Sequence, residues 1–486
     1  MIRKKTLSLL ITALCLTACS ETLVKVAETT TEKTKNKPNV IYILADDLGY
    51  GDVGVYGQAR VKTPNLDNMA AEGVMFTEFY AGANVCGPSR ATLMTGKHQG
   101  HARIRGNKQE YPLRDEDVTV AEVFKQGGYH TGVIGKWGLG DEGSTGTPDK
   151  QGFDFFYGYL NHVHAHNHYP EWLWRNNKKE QLTNVVEHIE TNYSYFPAGV
   201  AKPDGRHEYA GDLIFKESLD YIERRAKSDK PFFLYVAPIT PHANGDVKLV
   251  DWTNNGMEVP DHGQYNNEAW PDPQKGFAAM VTHLDNGVGQ IREKLKALGI
   301  DDNTIVIFSS DNGPHKEGGH IPEYFDSNGE YKGIKRDLWE GGIKSPMIVW
   351  GPSIVKSHVV SDHLGYAGDF MATAAEIAQV ELKTPVDSIS FLPTLVGEPE
   401  KQQATQYLYW EDYFAKGGQA MRKGKWKAIR EPMFTGKVEL HDLSIDASES
   451  IDLASQYPEI VKEFEQLFDK EHTPDPDWRV GKKKKH

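Results

Sequence analysis

The chain has 486 residues, of which 39% are hydrophobic, 25% charged and 10% aromatic. That globular mixture is long enough for about two or three domains of about 150 residues each, and it excludes collagen-like, coiled-coil and disordered classes. Against 55 Lys and Arg stand 68 Asp and Glu, a formal charge of −13 that argues against a nucleic-acid partner, and the three cysteines, Cys15, Cys19 and Cys86, are too few for a disulfide framework.

Arg3, Lys4 and Lys5 precede an apolar run over residues 7–16, and small residues then lead to Cys19. A basic start, a short apolar stretch and a small-residue site form the pattern of a secretory signal. The run is about half of the roughly 20 residues that a membrane-spanning helix needs. Leu16-Thr17-Ala18-Cys19 resembles a bacterial lipoprotein box, which predicts a lipoprotein signal over residues 1–18 and lipidation of Cys19; the alternative is ordinary cleavage to a soluble periplasmic chain. Residues 19–37 are polar, rich in Thr and Lys and without periodicity, and read as a flexible tether. The expected location is the cell envelope, with the lipid anchor in a membrane, at the outer membrane facing the periplasm or the cell surface.

From residue 38 short apolar runs alternate with amphipathic segments, which predicts an α/β fold: a large, mixed, mostly parallel sheet flanked by helices. Residues 39–44 read as a strand followed by Asp46 and Asp47, residues 119–125 as a helix stopped by Gly127 and Gly128, and residues 129–134 as a strand followed by Lys136. Residues 208–225 are an expected helix, 231–237 a strand with His242 beyond it, 276–298 a long helix ended by Gly299, and 304–308 a strand running into Asp311 and Asn312. Ligands of open α/β sheets collect beyond the carboxyl ends of the strands. One Asp or Asn there is commonly a helix cap. Four strands that all run into titratable or amide groups predict one site assembled from dispersed loops. Near residue 402 the texture changes to short β-like pieces at 406–410, 425–429 and 438–440 and a helix at 458–468. The expected divisions are therefore a catalytic domain over 38–400, a smaller C-terminal α+β subdomain over 401–478, and a basic tail over 479–486.

Cys86 lies in Val85-Cys86-Gly87-Pro88-Ser89-Arg90. A lone cysteine is usually a small buried hydrophobe. Gly-Pro and Arg suit an exposed turn entering a helix, and a thiolate nucleophile beside Arg90 is a second reading of the same residues. With Leu93, Thr95 and Gly96 the stretch resembles the signature of type I sulfatases, in the alkaline phosphatase superfamily. The likeness runs from Pro38 to about Phe468. Residues 38–54 resemble the family's opening strand and paired aspartates, Gly135-Lys136-Trp137-Gly138-Leu139-Gly140 its lysine loop, Ser310-Asp311-Asn312-Gly313 its second metal loop, residues 335–342 its second lysine motif, and the stretch from Val438 its C-terminal subdomain.

The resemblance implies an alkaline phosphatase-like fold and a sulfuric ester hydrolase. In such enzymes a sulfatase-maturation enzyme oxidises the cysteine, here Cys86, to formylglycine; one hydroxyl of its hydrate attacks sulfur and the second allows sulfate to leave. The resemblance also implies one Ca²⁺ on Asp46, Asp47, Asp311 and Asn312, an oxygen-only set suited to a hard cation. It places Arg90, Lys136 and Lys335 around the nucleophile and the sulfate oxygens, where fixed positive charge opposes the charge that develops in the transition state. His242 takes a proton-transfer role, at the ester oxygen or in breakdown of the sulfated intermediate.

The chain departs from the pattern at Gly138, where many members of the family carry a histidine. His162, His164, His166 and His168 follow, and in an extended segment their alternate spacing puts them on one side. They read as a lining that replaces the histidine, with His164 or His166 as the candidates, as a transition-metal site, or as a structural loop. Arg103, Arg105 and His315, with the aromatic segment 169–174, are candidates for a leaving-group pocket. The expected substrate is a sulfated oligo- or polysaccharide, with galactose-type or N-acetylhexosamine units by analogy. The alternatives are a phosphodiesterase or phosphonate monoester hydrolase of the same superfamily, and a non-catalytic envelope glycan-binding protein. The last would tolerate loss of Cys86, Lys136 or Lys335, and all three are present.

Overall fold

The computed structural model describes residues 37–108, 110–190 and 198–480. The expected signal at 1–18, Cys19 with the tether up to residue 36, and residues 481–486 of the tail lie outside the described residues. Ten strands form the main sheet: β1 (Asn39–Ala45), β2 (Val74–Phe76), β3 (His130–Lys136), β4 (Phe155–Tyr159), β5 (Trp172–Arg175), β6 (Lys178–Gln181), β7 (Phe232–Ala237), β8 (Thr304–Ser310), β9 (Met347–Trp350) and β10 (Val359–Ser361). Their spatial order is β10-β2-β9-β8-β1-β7-β3-β4-β5-β6. The five central strands, β8 to β4, are mutually parallel, while β9 joins β8 antiparallel and β5 and β6 form an antiparallel ribbon at the other edge. The mixed, mostly parallel sheet is as expected.

The sequence makes this centre for a simple reason. A parallel strand covered on both faces needs apolar side chains at every position rather than at alternate ones. All seven residues of β1 and all seven of β8 are buried. In β1, Val40, Tyr42 and Leu44 join one core and Ile41, Ile43 and Ala45 the other. The first core is closed by helices Val120–Gln126 and Phe370–Ala378, the second by helices Ala210–Arg225 and Asp272–Leu298. Thr119 caps the first of these helices, accepting from the Glu122 amide while the Glu122 carboxylate accepts from the Thr119 amide.

The C-terminal part is a four-stranded antiparallel sheet, Leu408–Asp412, Gly418–Lys423, Trp426–Arg430 and Val438–Asp442 in that order. The sequence reading overlooks its second strand, because Gly418-Gln-Ala-Met-Arg-Lys423 has no run of β-branched residues. Phe464 and Phe468 of helix Pro458–Glu471 cover one face with Tyr409, Met421 and Leu440. The other face, through Trp410, Ala420 and Ile429, packs on Tyr80, Leu338 and Ile343.

One local expectation fails. The histidine-rich segment is not extended: Val163 has φ −72° and ψ −42°, and His164–His166 form a 3-10 turn. The Asn161 side-chain oxygen accepts from the amides of Val163 and His164 (2.8 and 3.2 Å) and winds the chain there. The four rings therefore do not share a side.

Candidate active site

The register between β1 and β8 places the first ligating groups. Ala45 pairs with Ser310, so Asp46 and Asp311 leave adjacent strands next to each other, both fully buried. The chain turns sharply at Asp47, whose φ of 66° is left-handed, a conformation that Asp tolerates better than most residues. Its amide donates to Asp311 Oδ1 (3.0 Å), and its Oδ1 accepts from Asn312 Nδ2 (2.8 Å). The four oxygen-bearing residues expected to act together are thus in one place.

Cations surround them. Lys136, the last residue of β3, donates to Asp46 Oδ2 at 2.7 Å. Arg90 reaches Asp311 Oδ2 through Nη2 and Nε (2.7 and 3.0 Å) and lies 3.5 Å from Asp46 Oδ1. Lys335 donates to Asp47 Oδ2 at 2.6 Å and to His242 Nε2 at 3.2 Å. Beyond β7, Asp46 bridges to Pro241, which brings His242 to the same strand ends. The His242 Nδ1–H donates to the Ala243 carbonyl (2.6 Å), leaving Nε2 to accept from Lys335. Burial and the Lys335 charge hold His242 well below its ordinary value, so the ring is neutral.

Cys86 opens helix Cys86–Thr95, all of whose residues are buried, and Arg90 sits one turn further on the same face. A helix N-terminus favours negative charge. The Cys86 sulfur, Asp46 and Asp311 offer ligand atoms within 4.8 Å of one another. Asn107 Nδ2 donates to Cys86 Sγ (3.3 Å), while Asn107 Oδ1 accepts from the Gly87 amide (2.9 Å). Each acid has a cation beside it, Lys136 at Asp46, Arg90 at Asp311 and Lys335 at Asp47, yet the acids crowd one another. Burial and the Asp46 charge raise Asp311 to about 7, whereas Asp46, against the effect of its own burial, is held well below the carboxylate range by Lys136 and Arg90. Two buried carboxylates so close ionise together only if more positive charge is supplied. Asp46 Oδ1 and Asn312 Oδ1 are also buried without a hydrogen-bond donor.

Residues 38–380 match the sulfatase family, and residues 329–473 match the C-terminal part of N-sulphoglucosamine sulphohydrolase. The chain belongs to the sulfatase family. It is similar to the N-acetylgalactosamine-6-sulfatase of Homo sapiens, 32% identical over 372 residues that cover 74% of this chain and 66% of the relative. The chain thus spans just under two thirds of the length of that relative. It is similar to an N-acetylgalactosamine-6-O-sulfatase of Bacteroides thetaiotaomicron at 29% identity over 501 residues, 90% of this chain and 93% of the relative. A solved structure described under the metabolism of multiple glycosaminoglycans by Bacteroides thetaiotaomicron superposes with a TM-score of 0.72 at 27% identity, covering 90% of this chain and 99% of that one.

In this sulfatase fold the nine residues Asp46, Asp47, Cys86, Arg90, Lys136, His242, Asp311, Asn312 and Lys335 converge. Other expectations need correction. Arg103 pairs with Asp477 (2.6 Å), and Arg105 is buried against Glu411 (3.3 Å) and Tyr413 OH (2.9 Å), so both pin C-terminal segments rather than face the strand ends. His315 is wholly buried with both ring nitrogens engaged: Nε2–H donates to Pro241 O (3.0 Å) and Nδ1 accepts from the Glu317 amide (3.0 Å). It supports the His242 loop and has no nitrogen left for a substrate. His164 packs tilted against Trp172 (4.1 Å) and edge-on to Tyr159 (5.0 Å) in the sheet-edge core, whereas His166 stacks on His242 (5.0 Å). His168 is buried against the His242 carbonyl (2.8 Å).

Arg336, which sequence reading missed, and Glu317 also stand beside His242. The Glu317 carboxylate lies 3.7 Å from Lys335 Nζ and 4.0 Å from His242 Nε2, and accepts from Arg336 Nη2 at 2.5 Å. Lys335 above all, then Arg336, hold Glu317 ionised far below its ordinary range despite partial burial. Adjacency was the available signal: Arg336 follows Lys335, and Glu317 lies five residues after Asn312.

Proposed function

We propose that this sulfatase hydrolyses sulfate esters of a carbohydrate, on galactose-type or N-acetylhexosamine units, with formylglycine made from Cys86 as the nucleophile. The carrying observation is the convergence of Cys86, at a helix N-terminus, with Arg90, Lys136, Lys335 and neutral His242 around a cluster of acid and amide oxygens, two of which accept no hydrogen bond. The names of the human and Bacteroides relatives favour an N-acetylgalactosamine 6-sulfate.

Asp46, Asp47, Asp311 and Asn312 would hold one hard cation such as Ca²⁺. The oxygens of Asp46 and Asn312 that accept no hydrogen bond fit that group, as does the all-oxygen donor set. When bound, the cation supplies the positive charge that favours a deprotonated hydroxyl at residue 86. Lys136 and Lys335 bind the sulfo group, and Arg90 orients Asp311 and screens the acids from the anionic substrate. Neutral His242, oriented by its Nδ1–H bond to Ala243, presents Nε2 to take or return a proton beside the ester oxygen. Glu317 and Arg336, at the rim near His242, suit sugar hydroxyls on the leaving-group side.

Envelope targeting belongs to the same proposal: a lipid on Cys19 would hold the enzyme at the outer membrane, where polymer-derived saccharides arrive, after a maturation enzyme has modified Cys86. A panel of regiodefined sulfated saccharides, read by sulfate release against matched phosphate esters, tests the reading. Release of sulfate from a 6-sulfated galacto-configured sugar, dependent on Ca²⁺ and lost with chelator, is expected. Faster release of phosphate overturns it.

A further inference from the structure

We propose that His162 is a catalytic residue of this site, its imidazole reaching the sulfo group held at Cys86 from the side that Gly138 leaves open; this rests on the sulfate-ester reading above. Gly138 has φ +76°, and a side chain begun there would meet no atom within 4 Å. That space is part of a cavity whose wall contains Gly87, Asn107, Lys108, Gly138 and His162. Gly87 and Asn107 touch the nucleophile directly or through one bond, because Asn107 donates to Cys86 Sγ and accepts from the Gly87 amide. His162 therefore shares a wall with the immediate neighbours of residue 86.

The backbone explains why it stands there. The pairing of β3 with β4 continues past both strands: Trp137 donates to Tyr159 O (2.9 Å) and Gly138 to Leu160 O (3.0 Å). The turn at Asn161 follows at once, fixed by its side-chain bonds to the amides of Val163 and His164 and by donation from Nδ2 to Asp141 Oδ2 (2.9 Å). Residue 162 is thus carried to the level of residue 138 by two short, hydrogen-bonded segments. The turn then divides the four histidines. His164 and His168 go to the core, His166 lies flat against His242, and His162, edge-on to His166 (6.5 Å), lines the cavity.

The charges that act on His162 are those of the site. Burial, then His166, Lys136 and Lys335, lower it to about 3, so its ring is neutral with one N–H to donate. A neutral N–H donor can bind a sulfo oxygen without adding another cation to a pocket already rich in Lys and Arg.

The test uses the full, formylglycine-bearing enzyme with an aryl sulfate, and inorganic sulfate binding by calorimetry as a readout independent of turnover. His162→Ala should lower kcat about 10²-fold with unchanged formylglycine content, and should weaken sulfate binding about tenfold. His164→Ala should leave both near wild type. Imidazole added to the His162→Ala enzyme should restore part of kcat, which a structural role for His162 does not predict. Wild-type-like kcat and sulfate affinity in His162→Ala overturn the proposal. If the wild type releases no sulfate from any ester while His162→Ala still loses sulfate affinity, the sulfate-ester reading falls and the contact of His162 with the anion stands.

Discussion

Two buried clusters of charge in this chain use the same side-chain types and differ in how completely they are matched. Beneath the C-terminal sheet, Lys427, fully buried, donates to Glu340 Oε1 (2.8 Å) and Glu449 Oε1 (3.3 Å). The second oxygen of Glu340 accepts from Tyr80 OH (2.5 Å), and that of Glu449 from the Glu340 amide (2.7 Å). At the strand ends, by contrast, Asp46 Oδ1 and Asn312 Oδ1 have no donor, and Asp311 is pushed up to about 7 by burial and Asp46. A saturated network is complete as folded and joins two layers. An unsaturated one is completed by something that arrives later, and in a native protein that is a mark of function.

Substitutions should separate the two clusters. The largest effect is expected at the unsaturated one: Cys86→Ala should lower kcat/KM on an aryl sulfate about 10⁴-fold or more, with thermal unfolding by calorimetry unchanged. Turnover near wild type in that variant removes Cys86 as the nucleophile. The saturated cluster should answer in the opposite way. Lys427→Met leaves Glu340 and Glu449 buried without their cation and should destabilise the fold by about 3–5 kcal/mol, measured by urea unfolding, while the folded fraction keeps its kcat. A fall in kcat without a fall in stability would erase the distinction between the clusters.

A third, half-exposed pair should give the smallest effect. His101 Nδ1 meets the Asp387 carboxylate at 2.9 Å, where the hydrogen bond raises His101, and it lowers Asp387 against the effect of burial. A raised histidine contributes stability that is full below its unfolded value, about 6.5, and is lost as pH rises through its folded value. A lowered aspartate contributes stability that is present above its unfolded value, about 3.9, and is lost as pH falls through its folded value. The pair should therefore help most between about pH 4 and 6.5, by at most about 1 kcal/mol. The stability difference between wild type and His101→Ala should shrink as pH rises toward 9; a difference that grows there would reverse the sign.

Six of the nine converging residues, Asp46, Asp47, Lys136, His242, Asp311 and Asn312, were legible because each ends or closely follows a buried strand, while Cys86, Arg90 and Lys335 were legible only through the resemblance to the sulfatase motifs. A buried parallel strand must be a continuous apolar run, so its end, and the residue just past it, can be read from the chain alone. Arg103 and Arg105 show where that stops. Their charge is visible in the sequence, but the acids they meet lie 374 and 306 residues away. The histidine run shows a second limit: period-two spacing suggests a strand, and the side chain of Asn161 winds a turn instead. The pairing of Glu317 with Arg336 depends on how two loops meet over His242, which their adjacency to Asn312 and Lys335 hints at but does not fix.

The pairing of Ala45 with Ser310 has one more consequence. Successive side chains of a strand face opposite sides, so a slip of one residue between these strands would exchange the two cores and at the same time part Asp46 from Asp311. The alignment that the apolar residues enforce is also the alignment that brings the acids together. A mispaired chain would be both unstable and inert, so quality control that removes the unstable form needs no separate inspection of the active centre.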